Sequence, residues 1–225
     1  MDLKEALRKR KSIRGYRRDT VPAGVIREIL EIAVRAPSAL NSQPWEFAVV
    51  TGEALGAIKD HNERMLVQGE APCPDFPLKT LDGVYRERQV AVYAELCHLM
   101  GFEPEDRVAG ARWRRWSFRF FEAPVIIVIY ADVSLDTART NFDLGLVSQS
   151  ICLAALDYGL GTCLCLQAVS YPDKIREITG IPRSKKICVA IALGYPDTEK
   201  PANRIQSQRE PVENITCWCG FGDQF

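Results

Sequence analysis

Apolar runs along the chain predict the strands of a central sheet. Val125–Ala131 and Ile187–Leu193 are unbroken and rich in β-branched residues, as is typical of strands covered on both faces. Trp45–Thr51 predicts a further strand. Because helical patterns separate these runs, the chain is predicted to adopt an α+β fold.

Apolar residues at helical spacing predict the intervening helices. The first helix begins with the capping-box offset of Asp2 and Glu5 and ends near Arg10. The next three predicted helices run from Pro22 to before Pro37, over Glu53–Leu66, and over Asp82–Met100 with Gly101 as its closing residue.

A fifth helix, predicted over Asn141–Tyr158, carries no charge from Leu144 to Leu156. Such a helix must be buried on all sides, either at the centre of the fold or between two subunits. A helix that crosses a bilayer needs about 20 mostly apolar residues. This stretch is shorter and contains polar residues, so no membrane-spanning segment is predicted.

The periodic pattern is weak in two segments. Residues 67–81 are predicted to form a loop, and residues 196–225 a C-terminal arm. No repeat or linker divides the sequence, so residues 1–225 are predicted to form a single domain. An arm without its own core gains stability by packing on a neighbour, which favours a dimer.

Composition narrows the class of protein. The 225 residues are 47% hydrophobic and 26% charged, which excludes a disordered or coiled-coil chain. Because 29 basic residues balance 29 acidic ones, no overall field favours nucleic acid or an anionic membrane. The first residues lack the apolar core of a secretory signal, and most cysteines lie in apolar runs, so we expect a reduced, cytoplasmic protein.

Two Cys-x-Cys pairs, Cys163/Cys165 and Cys217/Cys219, raise the question of a metal centre. Structural zinc sites space their paired cysteines by two to four residues, and no nearby histidine completes a set here. We therefore expect no metal, with a zinc or iron–sulfur centre as the alternative. The second pair lies in a Gly-containing tail, where both thiols could simply be exposed.

The sequence contains no motif of hydrolytic or nucleotide-cleaving chemistry: G-x-S-x-G, H-E-x-x-H and a P-loop lysine are all missing. No G-x-G-x-x-G follows a strand, and His61 and His98 are the only histidines. An enzyme built from this chain is therefore expected to take its reactive group from a cofactor. No side chain is predicted as an obligatory acid or base.

Basic residues are concentrated in one segment, Arg8–Arg18, which holds seven of them and no acid. It follows the end of the first helix, where the helix dipole repels anions. A phosphate bound there would need side-chain cations and a hydroxyl, which Arg10, Ser12 and Arg14 supply at alternate positions. The alternative interpretation is a solvated basic surface.

Five short motifs, in this order and at these intervals, together resemble the FMN-dependent nitroreductase family over nearly the whole chain. The R-x-S-x-R turn is weak alone, whereas P-S-x-x-N-x-Q-P-W is more specific. The motifs are Arg10–Arg14, Ala36–Trp45, Gly159–Thr162, Gly194–Pro196 and Arg209–Pro211.

The resemblance implies a mixed, mainly antiparallel sheet flanked by helices, in a domain-swapped homodimer whose C-terminal arm wraps the partner. It implies two FMN sites at the subunit interface and NAD(P)H as hydride donor. The FMN-binding residues it implies are Arg10, Lys11, Ser12, Arg14 and Arg209 around the phosphate; Pro37, Ser38, Asn41 and Gln43 from the other subunit; and Leu164, Cys165, Leu166 and Gln167 under the flavin ring.

The segment under the ring departs from much of the family. Many relatives have Pro-x-Glu-Gly or a threonine-rich stretch where this chain has Cys165-Leu166-Gln167. A backbone N–H to flavin N5 would survive that change, whereas a side-chain hydroxyl contact would not, so the preference for one- or two-electron reduction stays open. An apolar strand explains Cys165 equally well, and a plain helix-to-strand loop is the alternative for residues 37–45.

The implied activity is an oxidoreductase with ping-pong kinetics that reduces electron-poor acceptors, nitroaromatics or quinones foremost. A reductive dehalogenase or alkene reductase on the same fold is one alternative. The other is a non-catalytic flavin-binding or redox-sensing protein, in which Cys217 and Cys219 would act.

Residues 61–120 are expected to form a variable lid that selects the substrate. Within it, Arg112, Arg114 and Arg115 alternate with Trp113 and Trp116. Arginines beside aromatic faces could orient an aromatic acid. Alternatively, an amphipathic helix packs its tryptophans on the core and leaves its arginines in water.

Overall fold

The computed structural model describes residues 1–77 and 79–220, which form an α+β fold. The described strands are β1 (Glu46–Thr51), β2 (Val125–Asp132), β3 (Gly161–Cys165) and β4 (Lys185–Gly194). The described helices are α1 (Leu3–Lys9), α2 (Ala23–Ala33), α3 (Gly52–Gln68), α4 (Gly83–Met100), α5 (Arg107–Phe118), α6 (Thr137–Asp157) and α7 (Pro172–Thr179).

The four strands form one sheet in the order β1-β2-β4-β3, and each neighbouring pair is antiparallel. A register shift between Ile129 and Tyr130 interrupts the β2–β4 ladder. The parallel component is a single bridge that joins Ser12 to Thr162 of β3. The predicted α+β fold with a mainly antiparallel sheet flanked by helices is confirmed.

The central strand β2 is covered on both faces, which explains its continuous apolar sequence. Ile127 and Ile129 pack in a cluster with α2 and α6, whereas Ile126 and Val128 pack in a second cluster on the opposite face, with α3 and α7. All four side chains are fully buried. The helices therefore form a layer on each side of the sheet.

The predicted helix boundaries agree with the structure to within a few residues. At the start of α1, the Asp2 carboxylate accepts a hydrogen bond from the backbone N–H of Glu5 at 2.8 Å, as a capping residue does. At the end of α4, Gly101 has a φ of 74°, the left-handed conformation that glycine adopts without steric cost.

The apolar helix α6 is buried on one side only within this chain. Leu144, Val147 and Ile151 lie in the core, but Phe142 is 70% exposed, and Gly145 is also exposed. Burial at the centre of the fold, one of the two alternatives, therefore accounts for only part of its apolar surface.

Some predictions stay untested by the fold. Leu78, in the predicted loop, and Phe221–Phe225, at the end of the predicted arm, lie outside the described residues. Within the described part of the chain, no helix is both long enough and apolar enough to cross a membrane. The single-domain organisation and the cytoplasmic location remain predictions.

Candidate functional site

The Arg10–Arg14 segment lies along the outer edge of β3. Its Ile13 N–H donates to the Thr162 carbonyl at 2.9 Å, and Ser12 forms the parallel bridge to the same residue. This close approach requires Gly161, because a Cβ there would collide with Ile13 and come within 2.9 Å of the Pro196 ring. Gly161 of the Gly159–Thr162 motif is thus needed for packing, because it allows the basic segment to lie directly against β3.

Asn203, which the sequence analysis did not single out, ties the C-terminal part of the chain to this segment. Its side-chain oxygen accepts from the Arg14 N–H at 2.6 Å, and its amide donates to the carbonyls of Gly15 at 2.7 Å and Asp197 at 2.9 Å. Because Asn203 is buried, these bonds are shielded from water. No sequence motif signals this role, since it depends on a contact between distant segments.

The two segments enclose an open cleft of about 550 Å³, the cationic cleft. Its basic residues come from α1 and the turn after it, and from the segment near residue 207. The lining includes Arg8, Lys9, Arg10, Lys11, Ser207 and Arg209. The predicted phosphate residues Arg10, Lys11 and Arg209 are therefore brought together from opposite ends of the chain.

Most cations of this cleft have no acidic partner. Within residues 1–77 and 79–220, Arg10, Lys11 and Arg209 form no ion pair, whereas Lys9 pairs with Glu5. Arg209 is positioned by its own segment, since its guanidinium donates to the Ser207 carbonyl and hydroxyl at 2.9 and 2.8 Å. Unpaired guanidinium and ammonium groups around an open cleft are the donor set that a phosphate dianion needs, so these residues fit the FMN phosphate.

Ser12 and Arg14 lie next to the cleft rather than on its walls. Both are half-buried, and the Arg14 guanidinium is within 3.5 Å of the Ser12 carbonyl. The buried Cys163 thiol lies close to this segment. Its pKa is lowered first by a hydrogen bond with Cys165 and then by the positive charge of Arg14. Burial acts in the opposite direction and raises that pKa, so the hydrogen bond with Cys165 and the positive charge of Arg14 together outweigh it.

Farther along β3 lies a second cleft of about 310 Å³, the leucine cleft. Leu164 and Leu166 face it and are 41% and 44% exposed. Ser148 and Gly145 of α6 line the opposite wall. One exposed leucine on the strand that carries the basic bridge, and a second just beyond the end of that strand, form an apolar surface that suits an aromatic ring.

Cys165 does not share this surface. Its side chain points to the opposite face of β3, where it is buried beside Cys163 and its thiol donates to the Cys163 carbonyl at 3.4 Å. Gln167 is exposed in the short 3-10 turn after β3. A role for residue 165 toward a ligand in the leucine cleft is therefore limited to its backbone.

The Pro37–Gln43 loop lies against α6. The Asp143 carboxylate, which sequence reasoning missed, accepts from the Ala39 N–H at 3.2 Å, and the Ser38 hydroxyl accepts from the Gln43 N–H at 3.0 Å. Asn41 and Gln43 are exposed and have φ values of 56° and 44°. These contacts tie the loop to a buried residue of α6 and leave Pro37, Asn41 and Gln43 exposed.

Helix α5 follows the amphipathic alternative. Trp113 and Trp116 meet edge to face at 5.6 Å and both pack against Phe121. The arginines of the same helix, Arg112 and Arg114 among them, are exposed. The tryptophans thus anchor the helix on the core while its arginines face water.

The Cys-x-Cys pairs occupy different environments. Cys163 and Cys165 are buried, whereas Cys217 and Cys219 are exposed with their Sγ atoms 3.6 Å apart. Among the residues that the structure describes, all eight cysteines are free of disulfides, and no group of three or more His, Cys, Asp or Glu is placed to hold a metal.

Comparison with known proteins matches this architecture. The sequence model of the nitroreductase family matches residues 7–195. A 4-nitrobenzoate reductase of Pseudomonas putida is 31% identical over 226 residues, which cover 98% of this chain and 96% of the relative. The solved structure of the FMN- and NADPH-dependent nitroreductase NfnB from Sphigopyxis sp. strain HMH has a TM-score of 0.93 at 28% identity and covers 98% of this chain and 100% of its own.

A second solved structure, FMN-dependent NfnB from Mycobacterium smegmatis in complex with NADPH, has a TM-score of 0.90 at 26% identity and covers 96% and 99% of the two chains. The chain therefore belongs to the nitroreductase family. The resemblance drawn from the ordered motifs is confirmed, and with it the enzyme class, an oxidoreductase. The FMN and NADPH dependence of these neighbours agrees with the predicted cofactors.

Proposed function

We propose that this protein is an FMN-dependent NAD(P)H oxidoreductase that reduces nitroaromatic compounds by a ping-pong mechanism. One observation carries the proposal: Arg10, Lys11 and Arg209 converge on one cleft, and none of them has an acidic partner among the described residues. When bound, FMN would accept a hydride from NAD(P)H and pass the electrons to the second substrate.

The spacing along β3 supports this placement. Ser12 meets the strand at Thr162, the exposed Leu164 follows on the same strand, and Leu166 lies just beyond its end. At about 3.3 Å per residue, Thr162 and Cys165, the last residue of the strand, are roughly 10 Å apart. That span suits a ligand with an anionic end in the cationic cleft and an aromatic end over the leucine cleft.

The chain's own groups would act by binding and orientation. The cations hold the dianion, the leucine side chains support the ring and exclude water from it, and backbone N–H groups after Cys165 are available to its polar edge. We assign none of these side chains the transfer of a proton at the reacting atom. The protein therefore contributes position and electrostatics.

We propose further that the active form is a homodimer joined along α6. The uncovered side of this helix presents Phe142, and the exposed Pro37–Gln43 loop is held to the same helix by Asp143. A twofold axis near α6 would carry this loop toward the partner's leucine cleft. In the C-terminal segment, Val212 and Ile215 are 54% and 65% exposed, which suits an arm that packs on a second copy.

Comparing two ligands tests the cofactor proposal. FMN and riboflavin share the ring and differ by the phosphate, so we expect FMN to bind at least 100-fold more tightly, measured by quenching of flavin fluorescence. Raising the salt concentration should weaken FMN binding far more than riboflavin binding. Equal affinities for the two ligands would remove the assigned role of the cationic cleft.

An anaerobic acceptor panel tests the reaction. With 4-nitrobenzoate, a quinone, an enone and a halogenated phenol as acceptors, we expect the nitro compound to be reduced fastest, with parallel double-reciprocal plots. Intersecting plots would contradict the ping-pong mechanism. Preference for the phenol or the enone would indicate the dehalogenase or alkene reductase alternative. A bound flavin that NAD(P)H does not reduce would indicate the non-catalytic one.

Sedimentation of the wild type and of Phe142→Glu tests the dimer. A carboxylate on the uncovered side of α6 should convert a dimer into a monomer and weaken FMN binding, because the partner loop is lost. Val108→Glu is a matched control, since Val108 is equally exposed on α5. A wild-type protein that sediments as a monomer would contradict the shared site.

A further inference from the structure

A further cavity lies between α5 and the end of α4. This tryptophan groove has a volume of about 370 Å³ and is lined by Met100, Phe102, Ala109, Arg112, Trp113 and Trp116. It shares no lining residue with the cationic cleft or the leucine cleft. Its size lies at the lower end of the range of ligand pockets, about 300–1,000 Å³.

The groove is built on one stripe of α5. Ala109, Arg112, Trp113 and Trp116 follow the spacing i, i+3, i+4, i+7, so they lie on one face of the helix. The opposite wall is formed by the residues that close α4, including Met100. Ala109 is small and buried, so it occupies little space in this wall.

Position in the groove distinguishes Arg112 from the neighbouring arginines. In the described part of the chain, Arg112, Arg114 and Arg115 all lack a carboxylate within ion-pairing distance, but only Arg112 lines the groove. A guanidinium at the edge of an aromatic pocket can bind a carboxylate through two parallel hydrogen bonds. The indole rings, already edge to face, offer a further aromatic ring the same geometry.

We propose that the tryptophan groove is a binding site for a small aromatic carboxylate, with Arg112 as the carboxylate partner and Trp113 and Trp116 as the ring contacts. The site is separate from the proposed FMN site and does not depend on it. The groove also adjoins the segment that supplies part of the cationic cleft, since Trp113 and Trp116 contact the cluster that contains Ile205.

Benzoate is the test ligand, measured by isothermal titration calorimetry on the purified full-length protein. Acetate carries the charge alone and benzyl alcohol the ring alone, so we expect benzoate to bind at least tenfold more tightly than either. Saturable quenching of tryptophan fluorescence should follow the same isotherm.

Two substitutions locate the site. Arg112→Gln should weaken benzoate binding at least tenfold and leave benzyl alcohol binding unchanged. Arg114→Gln, on the same helix but outside the groove, should change either affinity less than twofold. Equal losses in both variants, or no saturable benzoate binding by the wild type, would overturn the proposal.

A competition experiment separates this site from the flavin site. If benzoate occupies the tryptophan groove, saturating FMN should leave its affinity within twofold. If FMN abolishes benzoate binding, the ligand occupies the cofactor clefts instead and the proposal is wrong. Thermal melting of Arg112→Gln controls for misfolding, and an unchanged midpoint is expected because this side chain is exposed.

Discussion

Two clusters of basic residues in this protein have opposite electrostatic states. In the cationic cleft, Arg10, Lys11 and Arg209 surround open space without acidic partners in the described residues. At the start of β2, Arg119 is paired with Asp60, Glu63 and Glu122. The two clusters contain similar residue types. They differ in whether the basic side chains are paired with carboxylates, and the number of charges does not distinguish them.

The paired cluster has a structural task. Buried Lys59 donates to the Glu122 carboxylate at 3.1 Å and to the Ala123 carbonyl at 2.9 Å. It thereby holds a turn in which Phe120, Phe121 and Glu122 all have φ values between 54° and 59°. Three successive non-glycine residues in the left-handed region are costly, so surrounding contacts must fix them. Charges that are paired within the protein stabilise the fold, and unpaired charges are available to bind a ligand.

The largest expected effect comes from removing two cleft cations together. Arg10→Gln with Arg209→Gln should weaken FMN binding at least 100-fold, about 2.7 kcal/mol, and leave riboflavin binding unchanged. Flavin fluorescence titration measures both affinities. Arg17→Gln is the control, because Arg17 belongs to the same basic run but is paired with Asp19. If all these variants bound FMN like the wild type, the distinction between paired and unpaired cations would fail.

Gly161→Ala tests whether the cleft depends on the shape of β3. The added methyl group would collide with Ile13, so the basic segment must move away from the strand. We expect a loss of about 2 kcal/mol in unfolding free energy, together with weaker FMN binding. Urea denaturation and FMN titration measure the two effects. Gly56→Ala meets open space in α3 and should be neutral or stabilising. Equal behaviour of the two variants would show that close approach at residue 161 is unimportant.

Lys59→Met tests the paired cluster. It removes the donor to the Ala123 carbonyl and one of the two cations that pair with Glu122, so the unfolding free energy should fall by about 1.5 kcal/mol. The affinity for FMN should stay within twofold of the wild type, since the substitution lies outside both clefts. Urea denaturation monitored by circular dichroism gives the first value. A variant that is fully stable yet has lost FMN would reverse the roles assigned to the two clusters.

The smallest expected effect concerns pH. Hydrogen bonds from Ser134, followed by the contact with Lys185, lower the pKa of Asp132 from 3.8 to about 2. A carboxylate whose pKa is lower in the folded state stabilises the fold above its unfolded pKa, and this contribution is lost as the pH falls from about 4 to 2. The urea midpoints of the wild type and Asp132→Asn should therefore differ at pH 6 and converge near pH 2. A constant difference across that range would contradict the pKa shift.

Much of the fold follows from local patterns that the sequence displays. The β-branched run of β2 and the closing Gly101 each encode their own conformation, so the predicted elements agree with those observed. The left-handed turn at Phe120–Glu122 has no such signal, because tertiary contacts impose it against the preference of its residues.

The residues of the candidate site likewise fall into two groups: those that sequence motifs indicate and those whose role depends on tertiary contacts. Arg10, Lys11 and Arg209 could be assigned from the ordered motifs, and the structure brings them to one cleft. Asn203 and Asp143 could not be found, since an isolated Asn or Asp acquires its role only when distant backbone reaches it. The alternation of side chains along the strand places Cys165 and Leu164 on opposite faces of the sheet. The sequence alone does not show which of the two faces is exposed.

Arg10 and Arg209 lie far apart in the sequence, which has a consequence for biosynthesis. During translation residue 10 leaves the ribosome well before residue 209. The hydrogen bonds of Asn203 that join the two segments can form only after residue 203 has been synthesised. Nascent chains should therefore be unable to retain FMN, and to show its yellow colour, until both segments have emerged.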